Sequence, residues 1–160
     1  MTYRFLDHTA DVGLEIEAPS LAALFAEAAA AFTDTLTVRE EVRAVDEVRV
    51  ELTADALDEL MIEWLDELNF RFETEGLLVA EVAVEIESRE SRRESGWHLE
   101  KPSGDKGSPG GWHLSAVVRG EAYEPERHPV KVLIKAVTYH RLEVRETEGG
   151  EWFGRVIFDL

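Results

Sequence analysis

Three short stretches hold the side chains best suited to chemistry. The first is Asp7-His8-Thr9-Ala10-Asp11, where two carboxylates and an imidazole fall within five residues. Such a group can bind a cation or carry a proton; it can equally be a turn whose Asp and Thr side chains bond the local backbone. The second is Val156-Ile157-Phe158-Asp159-Leu160, an apolar strand that would hold the Leu160 main-chain carboxylate beside the Asp159 side chain. Neighbouring carboxylates repel unless a cation or a positive side chain lies between them. Joined by Asp11, they would form an oxygen-only site suited to Ca²⁺ or Mg²⁺; the alternative is a frayed end with solvated carboxylates. The third is Lys135-Ala136-Val137-Thr138-Tyr139-His140. Strand alternation puts Lys135, Val137 and Tyr139 on one face and Ala136, Thr138 and His140 on the other. Thr138 and His140 then either form part of a site or satisfy one another within the sheet. The sequence has no Gly-rich phosphate loop, no Ser-His-Asp order and no zinc-ligand spacing, so no complete catalytic constellation is visible.

These stretches need a scaffold, and hydrophobic periodicity supplies one. Residues 3–18 read as extended chain around a polar loop or bulge at 7–11, with Val12, Leu14 and Ile16 alternating against Gly13, Glu15 and Glu17. Pro19-Ser20 ends that strand and Ser20 can cap a helix. Leu21, Leu24, Phe25, Ala28, Phe32 and Leu36 predict a helix over 21–36 with one buried face. A strand is expected over 42–52, after which Thr53 can cap a second helix. That helix, over 54–75, carries the stripe Leu57, Leu60, Met61, Trp64, Leu65, Leu68 and Phe72 and is ended by Gly76. Its other face bears Asp55, Asp58, Glu59, Glu63, Asp66 and Glu67. Like charges one turn apart there cost a few tenths of a kcal/mol per pair, and the face is either solvated or a dock for a basic partner.

Period two returns over 78–90, followed by an excursion over 91–111 rich in Gly, Ser, Pro and charge, expected to be flexible. Within it Gly96-Trp97-His98-Leu99 recurs as Gly111-Trp112-His113-Leu114, a duplicated insertion in a hairpin loop and not a repeat architecture. Strands are expected over 112–123, about 130–145 and 152–159. Such an order predicts an α+β two-layer sandwich, with a largely antiparallel sheet and two helices on one face, forming a single domain over 1–160.

Composition narrows the function. Thirty-four Asp and Glu face 17 Lys and Arg, for a formal net charge of −17. Nucleic-acid affinity comes largely from cations that neutralise phosphates, so tight direct RNA or DNA binding is not expected, nor is a membrane partner. No apolar run is long enough to span a bilayer and the N-terminal residues do not read as a signal peptide. The chain has no cysteine, hence no disulfide or thiolate site. A cytoplasmic location is the expectation.

Taken together, Asp7–Gly13, Lys135–His140 and Val156–Leu160 resemble the archease family, whose pattern is an N-terminal Asp-His-Thr-Ala-Asp-(Val/Ile)-Gly, a late Lys-Ala-(Val/Ile)-Thr-Tyr-His and a terminal apolar strand with Asp-(Leu/Ile). The second helix is similar too, and only 91–111 lies outside the likeness. The resemblance implies an accessory protein, not an enzyme. It would assist an RtcB-type RNA ligase in tRNA splicing and RNA repair by promoting guanylylation of the ligase and hence multiple turnover. It also implies a divalent cation, Ca²⁺ or else Mg²⁺ or Mn²⁺, held by Asp11, Asp159 and Leu160, with Asp7, His8, Lys135, Thr138 and His140 as further functional candidates. Leu133 departs from the pattern, since many relatives carry an acid there. Two other readings compete: a stand-alone metal-dependent phosphoester hydrolase built on Asp7, His8, Asp11, Asp159 and His140, and an acidic chaperone or scaffold that docks through the second helix.

Overall fold

The computed structural model describes residues 2–7, 11–89 and 110–160. Along the chain run β1 (Thr2–Asp7), β2 (Asp11–Ala18), α1 (Leu21–Leu36), a 3₁₀ turn (Arg39–Glu41), β3 (Asp46–Ala54), α2 (Leu57–Glu75), β4 (Leu77–Ser88), β5 (Trp112–Ala122), β6 (Ala136–Glu146) and β7 (Trp152–Asp159). All strand pairs are antiparallel, and they form two sheets, ordered β1-β2-β7-β6 and β3-β5-β4. The α+β class and antiparallel pairing are as expected, with the strands divided between two sheets. Both helices touch strands of both sheets, so the core is shared: Leu14, Ile16, Val156 and Phe158 from one sheet and Val50, Leu114 and Val118 from the other meet the apolar stripes of α1 and α2.

Local chemistry fixes the helix ends. Ser20 Oγ accepts the N–H of Ala23 at 3.1 Å, which caps α1 as expected. At the end of α2, Gly76 adopts φ 71° and returns its N–H to the Phe72 carbonyl, a left-handed cap that suits glycine. Thr53 is not the cap of α2: it stays in β3 opposite His113, and the helix begins after Ala56 without a side-chain cap. The β3 strand runs Asp46–Ala54 and starts later than the expected 42; the Val42 N–H instead donates to the Arg39 carbonyl at the end of the 3₁₀ turn. Trp64 joins the helices by donating its indole N–H to the Phe25 carbonyl at 2.9 Å. The 91–109 part of the predicted excursion, with its first Gly-Trp-His-Leu copy, lies outside the described residues.

One loop is pinned by a buried carboxylate that the sequence reading passed over. Glu121, at the end of β5, accepts hydrogen bonds from the Arg43 N–H at 2.6 Å and from the guanidinium of Arg127, and lies 3.3 Å from His128 Nε2. Burial alone would raise its pKa, but those donors outweigh burial and hold it at about 2. His128 is fully buried, and its Nδ1 accepts the Glu124 N–H at 2.9 Å, which leaves Nε2 to carry the proton toward Glu121. This lock anchors the turn from which the chain runs on to Lys135.

Candidate functional site

The β7 strand lies in the middle of the four-stranded sheet, and its end carries Asp159. On one side Asp159 is directly opposite Asp11 of β2, and on the other it is opposite Ala136 of β6. Residues directly opposite on antiparallel strands point to the same face, with Cβ atoms about 5 Å apart. The two carboxylates therefore meet on the outer face, because Val12, Leu14 and Phe158 take the alternate, inward direction. Asp159 is exposed and Asp11 half-buried, and Leu160 packs partly against the core. The Lys135 N–H donates to the Asp159 carbonyl at 2.8 Å, so the Lys-Ala-Val-Thr stretch holds this strand end in place through its main chain.

Among the described residues, no Lys, Arg or His side chain forms an ion pair with Asp159. Nor do three or more His, Asp or Glu side chains converge on one point there. Among the described residues, the side chains that the strand register brings together at this strand end are the two aspartates. The side chains of Asp7 and His8 lie outside the described residues; the backbone of Asp7 pairs with Val12.

The other late-strand candidates separate. Thr138 is opposite Ile157, and its hydroxyl donates to the Ile157 carbonyl at 3.0 Å. Regular pairing then lapses: Tyr139, His140, Arg141 and Leu142 together stand against the one residue Val156 before Glu143 pairs with Arg155. Arg141 sits at φ 55°, in the left-handed region. This bulge breaks the simple alternation expected for the stretch. Tyr139 and His140 are both exposed, and His140 is not bonded to Thr138.

Sequence reasoning passed over the row next to the aspartates on the same face. Four positions along from Asp11 and Asp159, Glu15 is opposite Arg155, with Arg4 and Glu143 on the flanking strands. Arg4 Nε donates to Glu15 at 2.9 Å, and Arg155 lies 3.2 Å from both Glu15 and Glu143. The hydrogen bond from Arg4, reinforced by Arg155, lowers the pKa of Glu15 despite its burial. Arg155 and Arg145 also sit over the Phe153 ring, at 5.5 and 4.7 Å from its centre. Period two alone assigns Glu15 and Arg155 to the aspartate face, so the signal was available.

With this geometry in hand, comparison with known proteins is decisive about kinship. The chain belongs to the archease protein family (MTH1598/TM1083), whose family model matches residues 3–160. It is 34% identical to the protein archease of Methanopyrus kandleri over the full length of both chains, and 33% identical to that of Methanosarcina mazei over 99% of this chain and 95% of the relative. Among solved structures it is similar to Methanobacterium thermoautotrophicum protein 1598, at 30% identity and a TM-score of 0.76, over 99% of this chain and 98% of the other. A Thermotoga maritima structure described as an archease and possible chaperone shares the fold at 16% identity and a TM-score of 0.55, over 97% and 94% of the two chains. No helix among the described residues is long and apolar enough to cross a membrane.

Proposed function

We propose that this protein is a non-enzymatic accessory of an RtcB-type RNA ligase, and that Asp11, Asp159 and the Leu160 carboxylate hold a divalent cation used in promoting guanylylation of the ligase. The reading is carried by one observation: two aspartates are set directly opposite one another at a strand end, and among the described residues no cationic side chain is paired to Asp159. Like charges in that register are destabilising, and a bound cation reverses the sign of the interaction. Hard oxygens alone fit Ca²⁺, or else Mg²⁺ or Mn²⁺, and lack the nitrogen and sulfur ligands typical of zinc. When bound, such an ion supplies a concentrated positive charge for phosphate oxygens. The chain itself supplies the cradle, and the Lys135 N–H fixes the carbonyl of Asp159. Lys135, Thr138 and His140 are assigned to the surroundings of that cradle, with Asp7 and His8 beside Asp11 in sequence.

The net charge of −17 favours a protein partner with a basic cleft over direct contact with RNA. The decisive assay is ligase turnover on RNA ends, with and without this protein. Asp11→Ala should remove the stimulation and weaken Ca²⁺ binding in calorimetry, while the circular dichroism spectrum stays unchanged. Full stimulation by Asp11→Ala would end the proposal. Turnover of a phosphoester by the protein alone, with added Mg²⁺ or Mn²⁺, would support the hydrolase reading instead.

A further inference from the structure

Most large apolar side chains here are buried, so those that are not stand out. Phe70 on α2 is 59% exposed, Leu133 is 62% exposed and Tyr139 is 67% exposed. Phe70 and Leu133 flank one seam, where α2 meets the segment that leads into β6. The neighbour of Phe70, Asn69, is buried and donates its amide to the Ile134 carbonyl at 3.2 Å, and Ile134 is the buried neighbour of Leu133. Extended chain sends Ile134 inward and Leu133 outward. Tyr139 follows a few residues later in β6, at the start of the bulge, where regular pairing with β7 lapses.

The acids around Phe70 define what would meet it. Asp66 and Glu73 lie one turn to either side on the helix, and neither forms an ion pair among the described residues, whereas Glu67 and Glu75 are both bound by Arg71. Further along, Glu63 has its pKa raised by burial and by the charges of Glu59 and Asp66. An apolar contact framed by unpaired carboxylates repels phosphates and anionic headgroups alike. It complements a protein surface that is basic around an apolar spot.

We propose that Phe70, Leu133 and Tyr139 form a docking face for a basic protein surface, with Asp66 and Glu73 setting its charge complementarity. The face rests on the accessory reading above for the identity of the partner, and it assigns binding to residues different from those assigned to the cation. The test uses the full chain and the purified RNA ligase as probe, with affinity measured by calorimetry at low and at high salt. Phe70→Ser with Leu133→Ser should weaken binding by about tenfold or more. Asp66→Lys with Glu73→Lys should weaken it at low salt and lose that effect at high salt. Both should keep the wild-type circular dichroism spectrum and Ca²⁺ affinity. Asp11→Asn should bind the ligase within about threefold of wild type and fail only in stimulation. Wild-type binding that both docking variants retain within twofold overturns the docking face and leaves the accessory reading standing. A wild-type protein that does not bind the ligase overturns both. A dimer in sedimentation that the Phe70 and Leu133 changes dissolve would give the patch to a second copy of this chain and overturn the proposal as stated.

Discussion

Two rows of residues cross the outer face of the four-stranded sheet, and they treat charge in opposite ways. In the row of Arg4, Glu15, Arg155 and Glu143 the signs alternate from strand to strand, and every carboxylate has a guanidinium beside it. In the row of Asp11, Asp159 and Ala136, about 13 Å further along at 3.3 Å per residue, two acids face each other. One sheet with one twist and one register supports both. The first row is charge arranged to hold strands together. The second sets two like charges in one register, the arrangement on which the proposed cation site rests.

That contrast can be broken most strongly by making the second row imitate the first. Asp11→Arg should pair with Asp159, gain roughly 0.5 kcal/mol of stability, and abolish both Ca²⁺ binding and ligase stimulation, as read by thermal unfolding, calorimetry and turnover. A smaller loss is expected from a variant with one glycine added after Leu160, which moves the main-chain carboxylate away from Asp159. Its cation affinity should fall about tenfold, with the melting temperature unchanged. In the first row, Glu15→Gln should cost about 1–2 kcal/mol at neutral pH, since it removes charge-assisted hydrogen bonds from Arg4 and Arg155. The pKa of Glu15 is lowered in the folded state, so its contribution is present above the ordinary carboxylate value and is lost as pH falls through the lowered one. Urea unfolding of wild type and Glu15→Gln should therefore converge in acid, and a gap that persists there would argue against the ionic row. The smallest effect belongs to Arg4→Ala. Its side chain is 74% exposed, and the exchange should cost no more than about 0.5 kcal/mol.

How much of this was legible beforehand follows from the range of the interactions. The α1 helix could be read to its ends, because Ser20 and the spacing from Leu21 to Leu36 are local signals. Gly76 announced the end of α2 for the same reason. The start of α2 was misplaced because Thr53 is a plausible cap taken alone, and only its pairing with His113 keeps it in a strand. Within the site, the residues alone offered the nearness of Asp11 and Asp159 only as a condition, and the family resemblance implied it. Their register was not legible, since it depends on the pairing of strands almost the whole sequence apart. The β6 bulge was invisible for a related reason: Tyr139 to Leu142 read as good strand, and only the pairing with β7 shows the shift of register there. Glu121, Arg127 and His128 carried no local signal, because the lock depends on burial and on a partner as distant in sequence as Arg43.

The bulge has a meaning for the life of the protein in a crowded solution. Among the described residues β6 is an outer strand of its sheet, and the side away from β7 presents main-chain groups that could recruit a strand from another molecule. With four residues spanning the place of one, and Arg141 turned into a left-handed conformation, that rim is kinked in mid-strand. A kinked rim cannot zip along a straight neighbour, so the irregularity doubles as a guard against aggregation. A variant that deleted residues to straighten β6 should keep the same core and precipitate sooner.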